Sequence, residues 1–196
     1  MPGSGTRAIQ MDTKHDMRIG IDISQIVHEG TGVGRYVREM VRSILNSDTV
    51  NEYVLFGASL RKRYVFFQFF TTVKNDRVTL VTMPIPPTIL DFLWNTVHGI
   101  SIERFIGHVD VFWSSDWTQP PLNEAKGITT IHDVSFLHFP ESFDEKIVAV
   151  QKRRLAQAKK ECAVFLCDSE TTKQDVKAYL QIDEKKLRVV YPGFRL

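Results

Sequence analysis

The 196-residue sequence has little of several things, and each shortage removes a class of protein. It contains only two cysteines, Cys162 and Cys167, both in one apolar run. Five positions apart on an alternating strand they point to opposite faces, so neither a disulfide framework nor a zinc site is expected, and a reducing cytoplasm fits. No uncharged apolar window approaches the roughly 18 residues of a membrane span, and no N-terminal apolar core of a signal peptide is present. An excess of one charge is missing too: 25 basic residues nearly cancel 23 acidic ones, so no overall field draws the chain to nucleic acid. Internal repeats and low-complexity tracts are absent, and His98, His108 and His138 lack metal-ligand spacing with one another, so no metal and no resident cofactor is expected.

What is present is alternation. Residues 1–16 carry no periodicity and read as an expression leader or a disordered tail, with Met17 a natural start. Short apolar runs then recur at Met17 to Ile23, Tyr53 to Phe56, Val78 to Val81, Val109 to Trp113, Gly127 to Ile131, Ala163 to Leu166 and Leu187 to Val190. Amphipathic segments separate them: Val33 to Leu45, Leu60 to Val73, Pro87 to Ile106, Asp144 to Lys160 and Ser169 to Leu180, the last with Ser169 as N-cap. Strands alternating with helices imply an α/β fold, a Rossmann-like, open and mostly parallel sheet with helices on both faces, and the length suits one domain over 17–196.

Two places invite chemistry. The run Gly127 to Ile131 feeds directly into His132-Asp133, and open parallel sheets bind ligands beyond the carboxyl ends of their strands. His132 there is either an acid-base group at the crevice mouth or a structural histidine capping the strand. The second place is Ser24 to Tyr36, where Gly30, Gly32 and Gly34 lead into the strongest helix and backbone amides can meet an anion. Arg35 stands where the dinucleotide fingerprint needs its third glycine, and no Gly-Lys-Ser/Thr follows, so the loop is phosphate-facing without being a dinucleotide clamp, or it is simply a surface loop.

Other features divide between ligand contact and packing. Arg61-Lys62-Arg63-Tyr64-Val65-Phe66-Phe67-Gln68-Phe69-Phe70 combines charge and aromatics as a peripheral membrane contact or a lipid-linked acceptor would require. The helical spacing of Phe66, Phe69, Phe70 and Val73 favours burial against the sheet instead. Trp94, Trp113 and Trp117 could border a sugar cleft; Trp113 reads as core and Trp117 as the ligand candidate. Lys152-Arg153-Arg154 and Lys159-Lys160 read as the solvated face of a helix.

Taken in order, Gly30-Thr-Gly-Val-Gly-Arg-Tyr36, Asp110-Val-Phe-Trp-Ser-Ser115, Thr130-Ile-His-Asp-Val-Ser-Phe-Leu-His-Phe-Pro-Glu141, Cys167-Asp-Ser-Glu-Thr-Thr172 and Arg188-Val-Val-Tyr-Pro-Gly193 resemble the N-terminal half of a family 4 retaining glycosyltransferase of the GT-B fold, close to its mannosyltransferase-like members. The resemblance spans 17–196, with Gly30-Thr31-Gly32 where the family often has adjacent glycines, and Tyr191-Pro192-Gly193-Phe194 in place of its commoner Pro-Asn-Gly-Val. It implies a domain that holds the acceptor, a glycan or a lipid-linked sugar, while a C-terminal domain in the same chain or a second chain grips a GDP- or UDP-sugar. Gly30, Gly32, Gly34 and Arg35 would face the donor diphosphate. His132 would lie beside the transferred sugar, with Asp133 orienting the loop or the imidazole. Tyr36, Asp116, Trp117, Ser169 and Glu170 would border the acceptor or the cleft, and a cytoplasmic enzyme able to touch the inner face of the membrane is implied. Because the sequence ends at Leu196, the donor-binding half is expected elsewhere, in the rest of a longer chain or in the other copy of a homodimer. A stand-alone, non-enzymatic Rossmann-like binding module is the alternative expectation, and in either case the isolated chain is expected to transfer little sugar.

Overall fold

A computed structural model describes residues 16–193; the leader expected at the N-terminus lies almost wholly outside them. The seven apolar runs become seven strands: β1 (Arg18–Asp22), β2 (Glu52–Ala58), β3 (Val78–Met83), β4 (Val111–Ser114), β5 (Lys126–Ile131), β6 (Cys162–Cys167) and β7 (Leu187–Val189). They form one sheet in the order β3-β2-β1-β4-β5-β6-β7, every pair parallel. Such strands are covered on both sides, which is why they read as apolar runs.

Alternate side chains of β2 show the two faces. Tyr53 and Leu55 join a core with Val37, Val41 and Leu45 of α1 (Gly32–Ser47) and Val65, Phe66 and Phe69 of α2 (Arg63–Val73). Val54 and Phe56 join another, with Leu90 of α3 (Pro87–Leu90), Trp94, and Ile106 of α4 (Glu103–Ile106). A third cluster seats α6 (Glu145–Glu161) and α7 (Glu170–Leu180) on β5, β6 and β7 through Leu155, Ala158, Val176 and Phe165. Phe66 and Phe69 are buried, as their spacing indicates, while Tyr64 and Phe67 of the same helix are exposed. No helix among the described residues is long and apolar enough to cross a membrane.

Two expectations are corrected here. The segment Pro87 to Ile106 is not one helix: after α3 the chain makes a π-helical turn over Asp91–Thr96, then reverses through His98 and Ile100, both with positive φ. The reversal is held from outside, because Trp94 Nε1 donates to the Ile100 carbonyl (3.1 Å) and the His98 ring bridges the Trp94 carbonyl (2.7 Å) and Glu161 (2.8 Å). Trp94 is therefore wholly buried core and no part of a sugar cleft. Nor do the cysteines point to opposite faces. The β5–β6 register steps from Gly127↔Cys162 to Ile128↔Val164, so Ala163 is an extra residue and the bulge brings Cys162 and Cys167 into the same buried cluster with Phe165. Both are free thiols.

Strand order reverses between β1 and β4, since the chain winds outward from β1 through β2 to β3 and then returns to β4 on the far side of β1. A doubly wound sheet opens its crevice beyond the carboxyl ends of those two strands. The residues there are Asp22 at the end of β1 with Ser24 just beyond it, and Ser115 to Trp117 after β4.

Candidate functional site

The crevice floor is made by loops that other elements clamp. After β4, the buried Asn95 of the π-helical turn donates to the Trp117 carbonyl (3.0 Å) and accepts from the Gln119 amide (2.9 Å). From α6, Gln151 donates to the Asp116 carbonyl (3.0 Å) and Arg154 to the Ser115 carbonyl (3.1 Å). A π turn at a ligand-facing loop is a recurrent arrangement, and its Asn95 fixes the position of Trp117.

Arg154 is the largest departure from the sequence reading. It is only 2% exposed, and it also donates to the Thr130 carbonyl (3.0 Å) and to the Thr129 hydroxyl. Lys152, Lys159 and Lys160 do face solvent, and Arg153 pairs with Asp91 at 2.7 Å, but Arg154 turns inward beneath the ends of β4 and β5. Burial lowers its pKa, and the nearby Asp116 opposes that shift.

His132 follows β5 directly, at the crevice, as expected. Its Nδ1 lies 2.7 Å from Asp168 Oδ2, on the strand end of β6; a carboxylate only accepts, so Nδ1 carries the proton and Nε2 is left free. Tyr36 of α1 presents the ring edge-on to the imidazole at 4.8 Å, and lies 6.3 Å from Trp113. The Thr172 hydroxyl of α7 donates to the His132 carbonyl (3.2 Å). Asp133 is not the partner of the imidazole. Its exposed carboxylate accepts the Ser135 amide two residues on (2.8 Å), in the turn that leads into the short helix α5 (Ser135–His138).

Beside His132 the glycine loop ends in α1. Thr31 is its N-cap and accepts the Gly34 amide (3.1 Å), and the Arg35 amide joins the Thr31 carbonyl (3.1 Å). The amides of Gly32 and Val33 have no acceptor among the described residues, so they are the ones open to an anion. Gly34 has a different reason to be glycine: a Cβ there would lie 2.7 Å from the His28 carbonyl oxygen and 3.1 Å from that of Gln25. It lets the loop fold onto the helix and is itself buried. Gly30 takes φ +84° at the turn, whereas Gly32 and Arg35 are exposed.

Two cavities meet at this place. The larger, about 420 Å³, is lined by Ser24, Val33, Leu90, Asp91, Asp116 and Trp117 among others. The smaller, about 160 Å³, is lined by His132, Asp133, Thr130, Arg154, Val33 and Asp116. Val33 and Asp116 belong to both, so the cavities adjoin across them. Of the residues singled out in the sequence, Asp116, Trp117, His132 and the start of α1 thus converge, and Tyr36 joins them through its ring contact with His132. Ser169 and Glu170 do not line either cavity: Ser169 caps α7 by accepting the Thr172 amide (3.0 Å), and Glu170 is exposed on its first turn.

Sequence reasoning missed three residues besides Asn95: Asp168, Arg154 and Asp22. Asp22 closes β1 at the switch point, 3% exposed, with Oδ1 accepting the Ser24 amide (2.8 Å). Burial pushes its pKa up to about 6, Ser24 acting in the opposite sense and Asp116 in the same one. Buried side-chain atoms without a hydrogen-bond partner gather here: Asp22 Oδ2, Tyr36 Oη, Asp116 Oδ1, Arg154 Nε and Asp168 Oδ1. Buried polar groups are rarely left unpaired, and a crevice that concentrates them suits a ligand rich in hydroxyls. An Asp ending an apolar strand was the signal available for both Asp22 and Asp168. No group of three or more His, Cys, Asp or Glu side chains converges to hold a metal ion among the described residues.

A family model described as Glycosyltransferase Family 4 matches residues 30–196. Curated proteins yield no match.

Proposed function

The chain belongs to glycosyltransferase family 4, and from that premise we propose that it is the acceptor-side half of a retaining glycosyltransferase. It moves a sugar from a GDP- or UDP-sugar, a mannosyl donor being the first to try, to a glycan or lipid-linked acceptor. The observation that carries this reading is the convergence at one crevice of a fixed imidazole, a helix start with unused amides, and a cavity of ligand size sharing Asp116 with the imidazole's own pocket.

Each part has a task in the reaction. The bond from the anomeric carbon to the diphosphate breaks, the bond to the acceptor oxygen forms on the same face, and the hydroxyl proton passes to the departing phosphate oxygen. Such a step needs preorganised donors for the leaving group more than a strong base. The Gly32 and Val33 amides, at the positive end of the 16-residue helix α1, supply them. His132 Nε2 hydrogen-bonds the transferred sugar, its ring held by Asp168 and Tyr36. Trp117 offers an indole face to the acceptor, and Asp116 a carboxylate to its hydroxyls. A second body, in the same polypeptide or in another chain, closes the crevice and carries the nucleotide. The two buried, unpaired cysteines accord with a cytoplasmic setting.

Proton NMR of the product made by this domain together with its donor-side domain tests the reading. The expected product keeps the anomeric configuration of the donor; an inverted product, or no transfer from any nucleotide sugar, overturns it.

A further inference from the structure

The chemistry of the acceptor is written in the unequal charge of the two adjoining cavities. The smaller holds Arg154 and His132. The larger is predominantly apolar, through Val27, Val33, Ala58, Leu90, Trp117 and Val150, and no lysine or arginine lines it. Its charged residues are Asp91 and Asp116, and His28 is its other titratable side chain. Arg153 reaches Asp91 from α6, so that pair cancels at 2.7 Å. Asp116 makes no ion pair among the described residues and its Oδ1 is buried without a partner, while the cation that acts on it, Arg154, lines only the smaller cavity. The start of α1 contributes about half a positive charge at Val33, on the boundary that the two cavities share. A phosphate lodged in the larger cavity would therefore meet an apolar surface with no lysine or arginine to pair with. The apolar character also continues outwards: Ile89 and Phe92, next in sequence to the lining residues Thr88, Leu90 and Asp91, are 55% and 61% exposed.

Resting on the glycosyl-transfer reading above, we infer that the acceptor is an uncharged alcohol with an apolar body, such as a sugar carrying an alkyl or aryl aglycone, and not a sugar phosphate or a diphosphate-linked sugar. The apolar body fills the 420 Å³ cavity against Leu90, Trp117 and Val150. The reacting hydroxyl passes Asp116, which both cavities share, and meets the donor sugar beside His132. Asp116 accepts a hydrogen bond from that hydroxyl or its neighbour, using the oxygen that is otherwise unpaired.

The test measures transfer by this domain together with its donor-side domain to a ladder of methyl, butyl, hexyl and octyl glycosides of glucose and mannose, kept below micelle formation, with the corresponding 6-phosphates alongside. Burying a methylene is worth about 0.8 kcal/mol at most, so kcat/KM should rise roughly two- to fourfold per added methylene until the cavity is full. The 6-phosphates should be at least about tenfold poorer. Val150→Trp, or Thr88→Trp at the more exposed rim, should bring the octyl-to-methyl ratio close to one. Transfer that ignores chain length, or that prefers the phosphates, overturns this inference while leaving glycosyl transfer standing; absence of transfer to every acceptor strikes the parent reading itself.

Discussion

His132→Ala lowers turnover about a hundredfold to a thousandfold when the domain is assayed with its donor-side partner, and leaves the fold intact. That is the effect of removing one positioned hydrogen bond to a transition state, about 2.7 to 4 kcal/mol. The geometry favours it: Asp168 fixes the tautomer, Tyr36 packs edge-on, and Nε2 is the free nitrogen. A purely structural histidine behaves differently. Its loss would remove a partly exposed hydrogen bond worth about 1 to 2 kcal/mol, lower the melting temperature by a few degrees at roughly 2–4 °C per kcal/mol, and leave activity per folded molecule nearly unchanged. Asp133→Asn is the informative companion, because that carboxylate holds only the turn into α5 through the Ser135 amide and does not touch the ring. Turnover that follows Asp133 and ignores His132 would reverse the assignment.

Asp22→Asn changes how stability depends on pH. Burial pushes this carboxyl up to about 6 in the folded chain, from an ordinary aspartate value of 3.8. Between those values the folded state holds a proton that the unfolded state has lost, so wild-type stability falls as pH rises from about 4 to about 6. Above that window the whole cost of burying the charge is present, about 3 kcal/mol. Asparagine stays neutral and can still accept the Ser24 amide. The variant's melting temperature, relative to wild type, is thus expected to climb by about 5 to 10 °C between pH 4 and pH 7. Parallel melting curves across that range would show that Asp22 does not carry a buried charge. A destabilising carboxylate at the switch point is the kind of local conflict that binding sites retain.

The sheet was legible because each parallel strand is an apolar run bounded by polar residues, and all seven runs lie where strands form. α1 was legible from its apolar stripe, and α7 from Ser169. The break after Leu90 was not. Ile100 is a β-branched residue at φ 49°, a conformation no local preference selects, and it is imposed by Trp94 and by Glu161 through His98. His132 could be read from its place at a strand end, but its partner could not, since Asp168 lies 36 positions away and Asp133 is adjacent. Arg154 sits among charged neighbours, and nothing in Lys152-Arg153-Arg154 shows which one turns inward. That depends on helical phase against the ends of β4 and β5, where its acceptors lie. The glycine loop was located correctly, yet its glycines differ in role: Gly34 is required by packing, while Gly32 is open.

The central claim is that donor and acceptor meet where α1 begins, beside His132 and Asp116. Amide and imidazole resonances of the labelled chain, followed by NMR during titration with GDP- and UDP-sugars, test it most directly, because even weak binding shifts them. The account predicts that Gly32, Val33, Asp116 and His132 shift together and saturate along one curve; shifts confined to the amino ends of the strands, around His98, His108 and Glu161, would contradict it.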